Sequence, residues 1–377
     1  MGGSPNVKIG EAGDSPMLAA QQTTGQTARN PADILPAMLL TLHAASLKPM
    51  LAPARGKPKL ALTDLPRFAR QELDMHGLNL TTDLLKGATR KVLEDLRERA
   101  DKERCACLLL IEPEPLKLAD ESDKVGGAGV ERAKRVLNAA NILGCNAAAI
   151  SVDSPDEDDF VDFAADRFRQ IVETADKLDM NILVAPREGL THKPERVTEL
   201  IKKVGGFRVG TFPDFEAAMQ AEDPAAYLRK LVPYASVVCA TTVALTAPET
   251  LPEKEPAEED EKPAKPAVES PTEDTEPTDA ELAEEAEASE EDIDAPPGGP
   301  GGGLEGLIQA VLSEEDFEEE QEPPSHEPYP LQPLIDAIAA VGFDGSLAVR
   351  YSGSDDCVGG TDLSRWALEH AVEHKSG

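Results

Sequence analysis

Short apolar runs alternate along this chain with longer amphipathic segments, and this alternation constrains the fold more than any other feature. Four of the runs end in polar residues: NILVAPREG (181–189), FRVGTFPDF (207–215), ASVVCATT (235–242) and GSLAVRYSG (345–353). Strands that alternate with helices pair in parallel, and a parallel sheet is covered on both faces, so its strands are uniformly apolar. The pattern therefore predicts a parallel sheet whose strands end at polar positions.

The number of alternations predicts that this sheet closes on itself. Strand-like runs are found at 37–46, 77–82, 105–113, 146–153, 181–186, 207–212, 236–242 and 346–351. Segments of helical period are found at 63–75, 91–103, 129–145, 156–179, 193–205, 215–220, 225–235, 331–342 and 361–374. Eight alternations within about 260 residues are typical of a (β/α)8 TIM barrel of the α/β class. An open, doubly wound parallel sheet is the alternative.

Charge is concentrated in one part of the chain. The formal net charge is −34, and residues 248–325 contain 28 Asp and Glu against 3 Lys. A segment this acidic and this poor in aromatic residues cannot bury enough apolar area to offset its conformational entropy. We therefore predict a disordered acidic insertion at 246–327, between strand seven and helix seven. The barrel is then formed by 35–245 and 328–377, after a disordered tail at 1–34.

Composition also limits the partners that we expect. A strongly acidic chain repels phosphate backbones and anionic lipid, so neither nucleic acid nor a membrane surface is an expected partner. The acidic insertion is suited instead to a basic protein partner. Five cysteines at irregular spacing are typical of reduced thiols, and we therefore expect a cytoplasmic protein.

Candidate site residues follow from the barrel geometry, because such barrels place their active sites at the carboxyl ends of the strands. Glu112 follows strand three, Arg187 and Glu188 follow strand five, Asp214 follows strand six, and Arg350 ends strand eight. Together they predict an acidic pocket with two arginines, suited to a polar ligand.

Three segments resemble a known family. They are LPRFARQELDMHGLNL, GVERAKRVLNAANILGCNAAAISV and NILVAPREGLTHKPERVTELIKKVGGFRVGTFPDFEA. Over about 37–245 and 327–374 the chain is similar to the sugar phosphate isomerase/epimerase family of xylose isomerase-like barrels. The resemblance implies a divalent metal (Mn, Mg or Zn) held by a Glu after strand five, an Asp after strand six, a His or other polar group after strand seven and a Glu after strand eight. That metal would polarise the substrate carbonyl and hydroxyl.

The four ligand positions of the family are largely replaced in this chain. They fall on Ala185, Asp214, Cys239 and Arg350, so that Asp214 alone is retained as a metal ligand. Hard cations need several oxygen ligands, and a guanidinium in the site opposes a cation. We therefore expect no bound metal cofactor. A shift of the first ligand to Glu188 is an alternative, although a change of register turns a side chain to the other face of a strand.

Several roles remain open for these residues. Arg350 can form an ion pair with Asp214 or with Glu112, or it can join Arg187 in holding an anionic sugar phosphate. Asp214 can bind a ligand or accept hydrogen bonds from loop amides. The resemblance predicts a divergent sugar phosphate isomerase/epimerase-like barrel that binds a sugar or sugar phosphate at its C-terminal rim, with catalysis left open. The alternative is a catalytically inactive barrel that acts as a binding or scaffold protein through its acidic arm.

Overall fold

The computed structural model describes residues 38–52, 55–247, 322–354 and 356–375. The predicted tail (1–34) and most of the predicted acidic insertion (248–321) lie outside these residues.

One parallel sheet of eight strands is the centre of the fold. Its strands are β1 Leu39–His43, β2 Gly77–Thr81, β3 Ala106–Ile111, β4 Ala147–Ile150, β5 Asn181–Val184, β6 Val209–Thr211, β7 Val237–Thr242 and β10 Ser346–Tyr351. The hydrogen-bonded order is β6-β5-β4-β3-β2-β1-β10-β7. Each predicted strand is present. β10 coincides with its predicted run, β7 begins one residue late, and the first six strands end before their runs do because the last residues of those runs turn into the following loop.

The two outer strands of this order, β6 and β7, close the ring. Isolated parallel bridges join Thr211 to Ala235 and Asp214 to Cys239. The amide of Cys239 donates a hydrogen bond to the carbonyl oxygen of Pro213 at 2.8 Å. The sheet is therefore the predicted (β/α)8 barrel, and the open doubly wound alternative is wrong.

Helices cover the outer surface of the sheet. They are α1 Lys48–Leu51, α2 Leu65–Glu72, α3 Arg90–Lys102, α4 Asp123–Leu143, α5 Asp158–Leu178, α6 Pro194–Val204, α7 Phe215–Ala218, α8 Pro224–Leu231, α9 Gln332–Ala339 and α10 Cys357–Glu373. In the part of the chain that the structure describes, no helix is long and apolar enough to cross a membrane.

Helix α4 begins six residues before the predicted start at 129, and a close contact explains why. Gly126 lies against the guanidinium of Arg167, where an added Cβ would be 2.0 Å from Cζ. Arg167 is buried there and donates a hydrogen bond to the carbonyl oxygen of Leu118 at 2.9 Å. Gly126 therefore makes room for a buried arginine in the first turn of α4, although a glycine there weakens the helical pattern of the sequence.

The inside of the barrel is apolar on one side. A cluster of inward-facing apolar residues fills the side formed by β3 to β7 and β10: Leu109, Ile111, Ala147, Ala149, Leu183, Phe212, Val237, Cys239 and Ala348. The neighbouring residues of the same strands pack outward against the helices, as the alternation of a strand requires. On β1 and β2, alternation turns Thr41, His43, Asn79 and Thr81 inward, so that this side of the interior is polar.

A two-stranded ribbon follows β7 at the carboxyl end of the barrel. It consists of β8 Leu245–Thr246 and β9 Ser325–His326, which pair in antiparallel fashion. The Nε2 atom of His326 accepts a hydrogen bond from the amide of Val243 at 3.1 Å. The Tyr329 hydroxyl donates to the carbonyl oxygen of Thr241. The ribbon thus joins the two edges of the predicted insertion directly beside the barrel.

Candidate binding site at the carboxyl ends of the strands

Arg350 and Asp214 form an ion pair at the carboxyl ends of their strands. Arg350 is paired in register with Thr241 of β7, and Asp214 follows β6 and bridges Cys239. The distance from Arg350 Nη1 to Asp214 Oδ2 is 3.5 Å, and the two side chains are 35% and 14% exposed. Of the alternatives for Arg350, the structure contains the ion pair with Asp214.

Asp214 also begins the next helix. Its Oδ1 atom accepts a hydrogen bond from the amide of Glu216 at 3.0 Å, in the N-cap geometry of α7. Burial raises the pKa of the Asp214 carboxyl, and the positive charge of Arg350 opposes that rise. Of the two roles considered from the sequence, the carboxylate therefore has that of accepting from a loop amide, and it faces Arg350 with its other oxygen; ligand binding by Asp214 stays a prediction.

Cys239 lies at the position that the resemblance assigns to a polar ligand after strand seven. The residue is 1% exposed, and its Sγ atom is 3.5 Å from the hydroxyl of Thr241. Burial, and then the negative charge of Asp214, raise the pKa of the Cys239 thiol well above its usual value. The group is therefore a neutral thiol at ordinary pH, and both metal binding and nucleophilic attack require the thiolate.

His43 ends β1 on the polar side of the interior. Its Nδ1 atom accepts a hydrogen bond from the amide of Ala45 at 3.3 Å, so the proton of the neutral ring is on Nε2. Burial, together with the positive charge of Arg350, lowers the pKa of His43 to about 3. The imidazole is therefore uncharged in the folded protein near neutral pH and is suited to hydrogen bonding.

Ala185 provides no ligand atom after strand five. Its side chain packs against the apolar cluster of the barrel interior. The four positions that the family would use are thus occupied by a methyl group, a carboxylate, a neutral thiol and a guanidinium. This set does not fit a divalent cation. Throughout the described ranges, no group of three or more His, Cys, Asp or Glu is arranged to hold a metal ion.

Arg187 and Glu188 lie apart from the pair formed by Arg350 and Asp214. Arg187 Nη2 is 3.5 Å from Asp153 Oδ1, and both of these side chains are exposed by about two fifths. Arg187 and Glu188 line a cavity of about 480 Å³ beside the loop that follows β4. The contacts of Arg187 are therefore with the β4 side of the barrel, and a joint anion site with Arg350 stays a prediction.

Glu112 is buried and fully engaged after β3. Its side chain is 1% exposed and pairs with Arg132 of α4, whose Nε is 2.6 Å from Oε2. The Thr82 hydroxyl and the amide of Glu114 donate to Oε1 at 3.0 and 3.3 Å. Arg132 is not among the site residues predicted from the sequence. The available signal was that a carboxylate directly after an apolar strand needs a cationic partner when it is buried.

Comparison with solved structures identifies the fold. No protein-family model matches the chain, and no curated protein matches it. A D-tagatose 3-epimerase-like protein aligns with a TM-score of 0.56 and 14% identity over 89% of this chain and 99% of its own. An L-ribulose 3-epimerase aligns with a TM-score of 0.56 and 12% identity over 89% of this chain and 95% of its own. An IOLI protein with a bound zinc atom aligns with a TM-score of 0.57 and 11% identity over 90% of this chain and 100% of its own. At these identities the likeness establishes a shared barrel fold.

Proposed function

We propose that this barrel, which has the fold of the sugar epimerases to which it is similar, binds a sugar or sugar phosphate at the carboxyl ends of its strands without a divalent metal. The observation that carries the proposal is the Arg350–Asp214 pair. A guanidinium has five N–H donors, and Arg350 faces Asp214 at 3.5 Å and Glu216 at 3.9 Å while 35% of its side chain is exposed. Donors therefore remain for a ligand.

The chemistry of the pair favours a polyhydroxylated or phosphorylated ligand. A guanidinium donates two parallel hydrogen bonds to a phosphate or to neighbouring hydroxyls. The Asp214 carboxylate accepts hydrogen bonds from hydroxyl groups. His43 adds a neutral imidazole to the polar side of the interior. We propose that Arg350 and Asp214 orient the ligand, and that any isomerisation is slow because no metal stabilises the developing charge.

A second candidate is a catalytically inactive barrel that binds protein partners through its acidic arm. Two observations favour it. Ala185 and Cys239 provide no charged ligand at the positions of the family's metal site. The β8–β9 ribbon holds both edges of the arm at the carboxyl end of the barrel, where an acidic segment would be accessible to a basic protein. The cysteines of the described ranges are free thiols, which suits our proposal of a cytoplasmic protein.

A thermal-shift and calorimetry screen tests the first candidate. Sugar phosphates and their parent sugars are added in the presence of a chelator, and again with Mn²⁺. We expect sugar phosphates to raise Tm equally in both conditions, and Arg350→Gln to weaken their binding by about tenfold or more. Sugar turnover is followed by chromatography in the same samples.

Arg208→Gln is the matched control, because Arg208 also pairs with carboxylates, those of Asp176 and Asp179, but precedes β6 at the opposite end of the barrel. It should bind sugar phosphates like the unmodified protein. Binding that requires Mn²⁺, or that survives Arg350→Gln, would contradict the proposed site. A protein that binds no sugar compound but captures a basic partner through residues 248–325 would favour the second candidate.

A further inference from the structure

We propose that the protein has a second ligand site, away from the Arg350–Asp214 pair, that takes a small organic anion with a phosphate or carboxylate head and an apolar body. The site is a cavity of about 470 Å³, named here the Arg132 cavity. Four segments enclose it: the loop 82–88 after β2, Leu93 of α3, residues 112–114 after β3, and the face of α4 that carries Arg132, Arg135, Val136 and Ala139.

Arg132 is held in a fixed orientation on the wall of this cavity. Its Nε donates to the buried Glu112 carboxylate at 2.6 Å, and its Nη2 donates to the Thr82 hydroxyl at 3.2 Å. The side chain is nevertheless 40% exposed. Two of its five N–H groups are thus engaged by the Nε and Thr82 hydrogen bonds, and Nη2 also approaches Glu112. The remaining donors are fixed in position, and this reduces the side-chain conformational entropy that is lost when an anion binds.

Two further cations line the cavity. Arg135 and Lys86 are exposed, and in the described ranges neither forms an ion pair. Of the carboxylates that line the cavity, Glu112 is neutralised by Arg132 and Asp83 is paired with Lys48 at 2.5 Å. Glu114 alone opposes an anion, from an exposed position. The balance of unpaired charge therefore favours a negatively charged ligand.

Part of the lining of the cavity is apolar. It is formed by Leu85 and Ala88 from the loop after β2, Leu93 from α3, and Val136 and Ala139 from α4. Val136 is buried and Leu85 is half-buried. A cavity lined by both cations and aliphatic side chains is suited to a ligand with a charged head and an apolar body.

The Arg132 cavity is separate from the Arg350–Asp214 pair. In the ring order, β3 lies three strands from β10, which carries Arg350, and three strands from β6, which Asp214 follows. The cavity is lined by Leu93 of α3 and by residues of α4, whereas β10 and the end of β6 both neighbour β7. A ligand of the cavity would therefore be bound independently of a ligand at the mouth.

Calorimetric titration with four simple probes tests this inference. Phenyl phosphate and benzoate carry a phosphate or carboxylate head on an apolar ring, inorganic phosphate lacks the ring, and benzyl alcohol lacks the charge. We expect one of the two ring anions to bind about tenfold more tightly than inorganic phosphate, because the ring buries apolar surface, and benzyl alcohol to bind more weakly than either ring anion. The stronger of the two ring anions identifies the head group.

Two exposed or loop positions provide variants that should fold. Arg135→Gln should weaken phenyl phosphate about tenfold, whereas Lys134→Gln, the same charge loss one residue earlier on α4 and outside the cavity, should not. Leu85→Ser should weaken phenyl phosphate but leave inorganic phosphate unchanged. In Arg350→Gln, which removes the phosphate ligand proposed for the mouth, phenyl phosphate should still bind and Arg135→Gln should still weaken it.

Three results would overturn the inference. The first is the absence of binding by both ring anions at up to about 10 mM, a concentration that detects even weak complexes. The second is equal weakening by Arg135→Gln and Lys134→Gln, which would indicate general attraction to a positive surface. The third is loss of probe binding in Arg350→Gln, which would place the anion at the barrel mouth.

Discussion

The Glu112 carboxylate and the Arg132 guanidinium connect the end of β3 to the middle of α4, with Arg132 Nε 2.6 Å from Glu112 Oε2. The carboxylate side chain is 1% exposed and the arginine side chain is 40% exposed. The pair therefore contributes more to the stability of the fold than a surface ion pair does, because removal of the arginine would leave a buried charge without its main partner.

The first prediction concerns the stability that this pair provides. Arg132→Ala should lower the free energy of unfolding by about 2 kcal/mol, which is below the roughly 3–5 kcal/mol of a fully buried broken pair because the arginine is partly exposed. Lys134→Ala removes only a surface pair with Glu131 and should change it by less than about 0.5 kcal/mol. Urea denaturation monitored by circular dichroism measures both values. Equal, small effects would show that Thr82 and Glu114 suffice to hold Glu112.

The second prediction is that the protein binds Mn²⁺ or Mg²⁺ weakly, and that two substitutions restore binding. Ala185→Glu with Arg350→Glu changes the charge of the mouth by three negative units and, with Asp214, provides three carboxylates. Three carboxylates at one site are enough for a hard cation. Each single variant should bind less tightly than the double variant, because it leaves either the ligand set incomplete or the arginine in place.

Titration calorimetry decides between these outcomes. Tight metal binding by the unmodified protein would contradict the interpretation of Ala185 and Arg350 as lost ligand positions. An unimproved double variant would show that these two residues do not occupy the positions that the family resemblance assigns to them.

The third prediction concerns pH. His43 has its pKa lowered to about 3 in the folded protein, so it remains neutral there while the unfolded chain takes up a proton below about pH 6.5. The stabilisation from its neutral form is therefore complete above pH 6.5 and is lost as the pH falls toward 3. Between those values the loss approaches about 1.4 kcal/mol per pH unit.

The comparison that isolates this contribution is between the unmodified protein and His43→Gln across pH 4 to 7. The stability difference between the two should shrink or reverse as the pH falls, while Asp214, whose pKa is raised, contributes the opposite trend to both proteins. A difference independent of pH would mean that His43 can be protonated without cost at the end of β1.

The fourth prediction concerns the acidic insertion. Deletion of residues 250–300 should leave Tm within a few degrees, because the ribbon of β8 and β9 remains and a change in the length of a connection has only a small entropic effect. His326→Ala should lower Tm more than the deletion does, since it removes the hydrogen bonds to Val243 and Tyr329. A loss of cooperative unfolding on deletion alone would show that the insertion packs on the barrel.

Secondary structure was predictable here because its signals are local. The run NILVAP ends as a strand at Val184, and the Pro at 186 accounts for the early end, because proline provides no amide for the ladder. The start of α4 was missed for the opposite reason, since Gly126 reflects a contact with Arg167 that no local pattern contains. The spacing of apolar residues therefore predicted the barrel. The error at the start of α4 arises where a side chain distant in sequence determines the local structure.

The sequence predicted that the candidate site residues lie at the ends of the strands, but it did not predict which of them pair with each other. The strand ends at Asp214 and Arg350 could be identified from the sequence, and their pairing was one of several alternatives. The partner of Glu112 could not be identified, because Arg132 lies on a helix 20 residues away and any of several cations on that helix could have reached it. The partner of Glu112 depends on the position of β3 in the barrel and on which face α4 turns toward it. The sequence of a single strand contains neither piece of information.

Because of the ribbon that follows β7, the pairing of the barrel strands does not depend on the segment between β8 and β9. The pairing of Leu245 with His326 fixes the ends of the intervening segment, so the register of β7 with β10 does not depend on the length of that segment. Doubling the length of such a loop costs only about 0.6 kcal/mol. A folded reporter domain could therefore replace the segment, and it would lie beside Thr241 and Arg350, where its signal could report the ligand proposed for the barrel mouth.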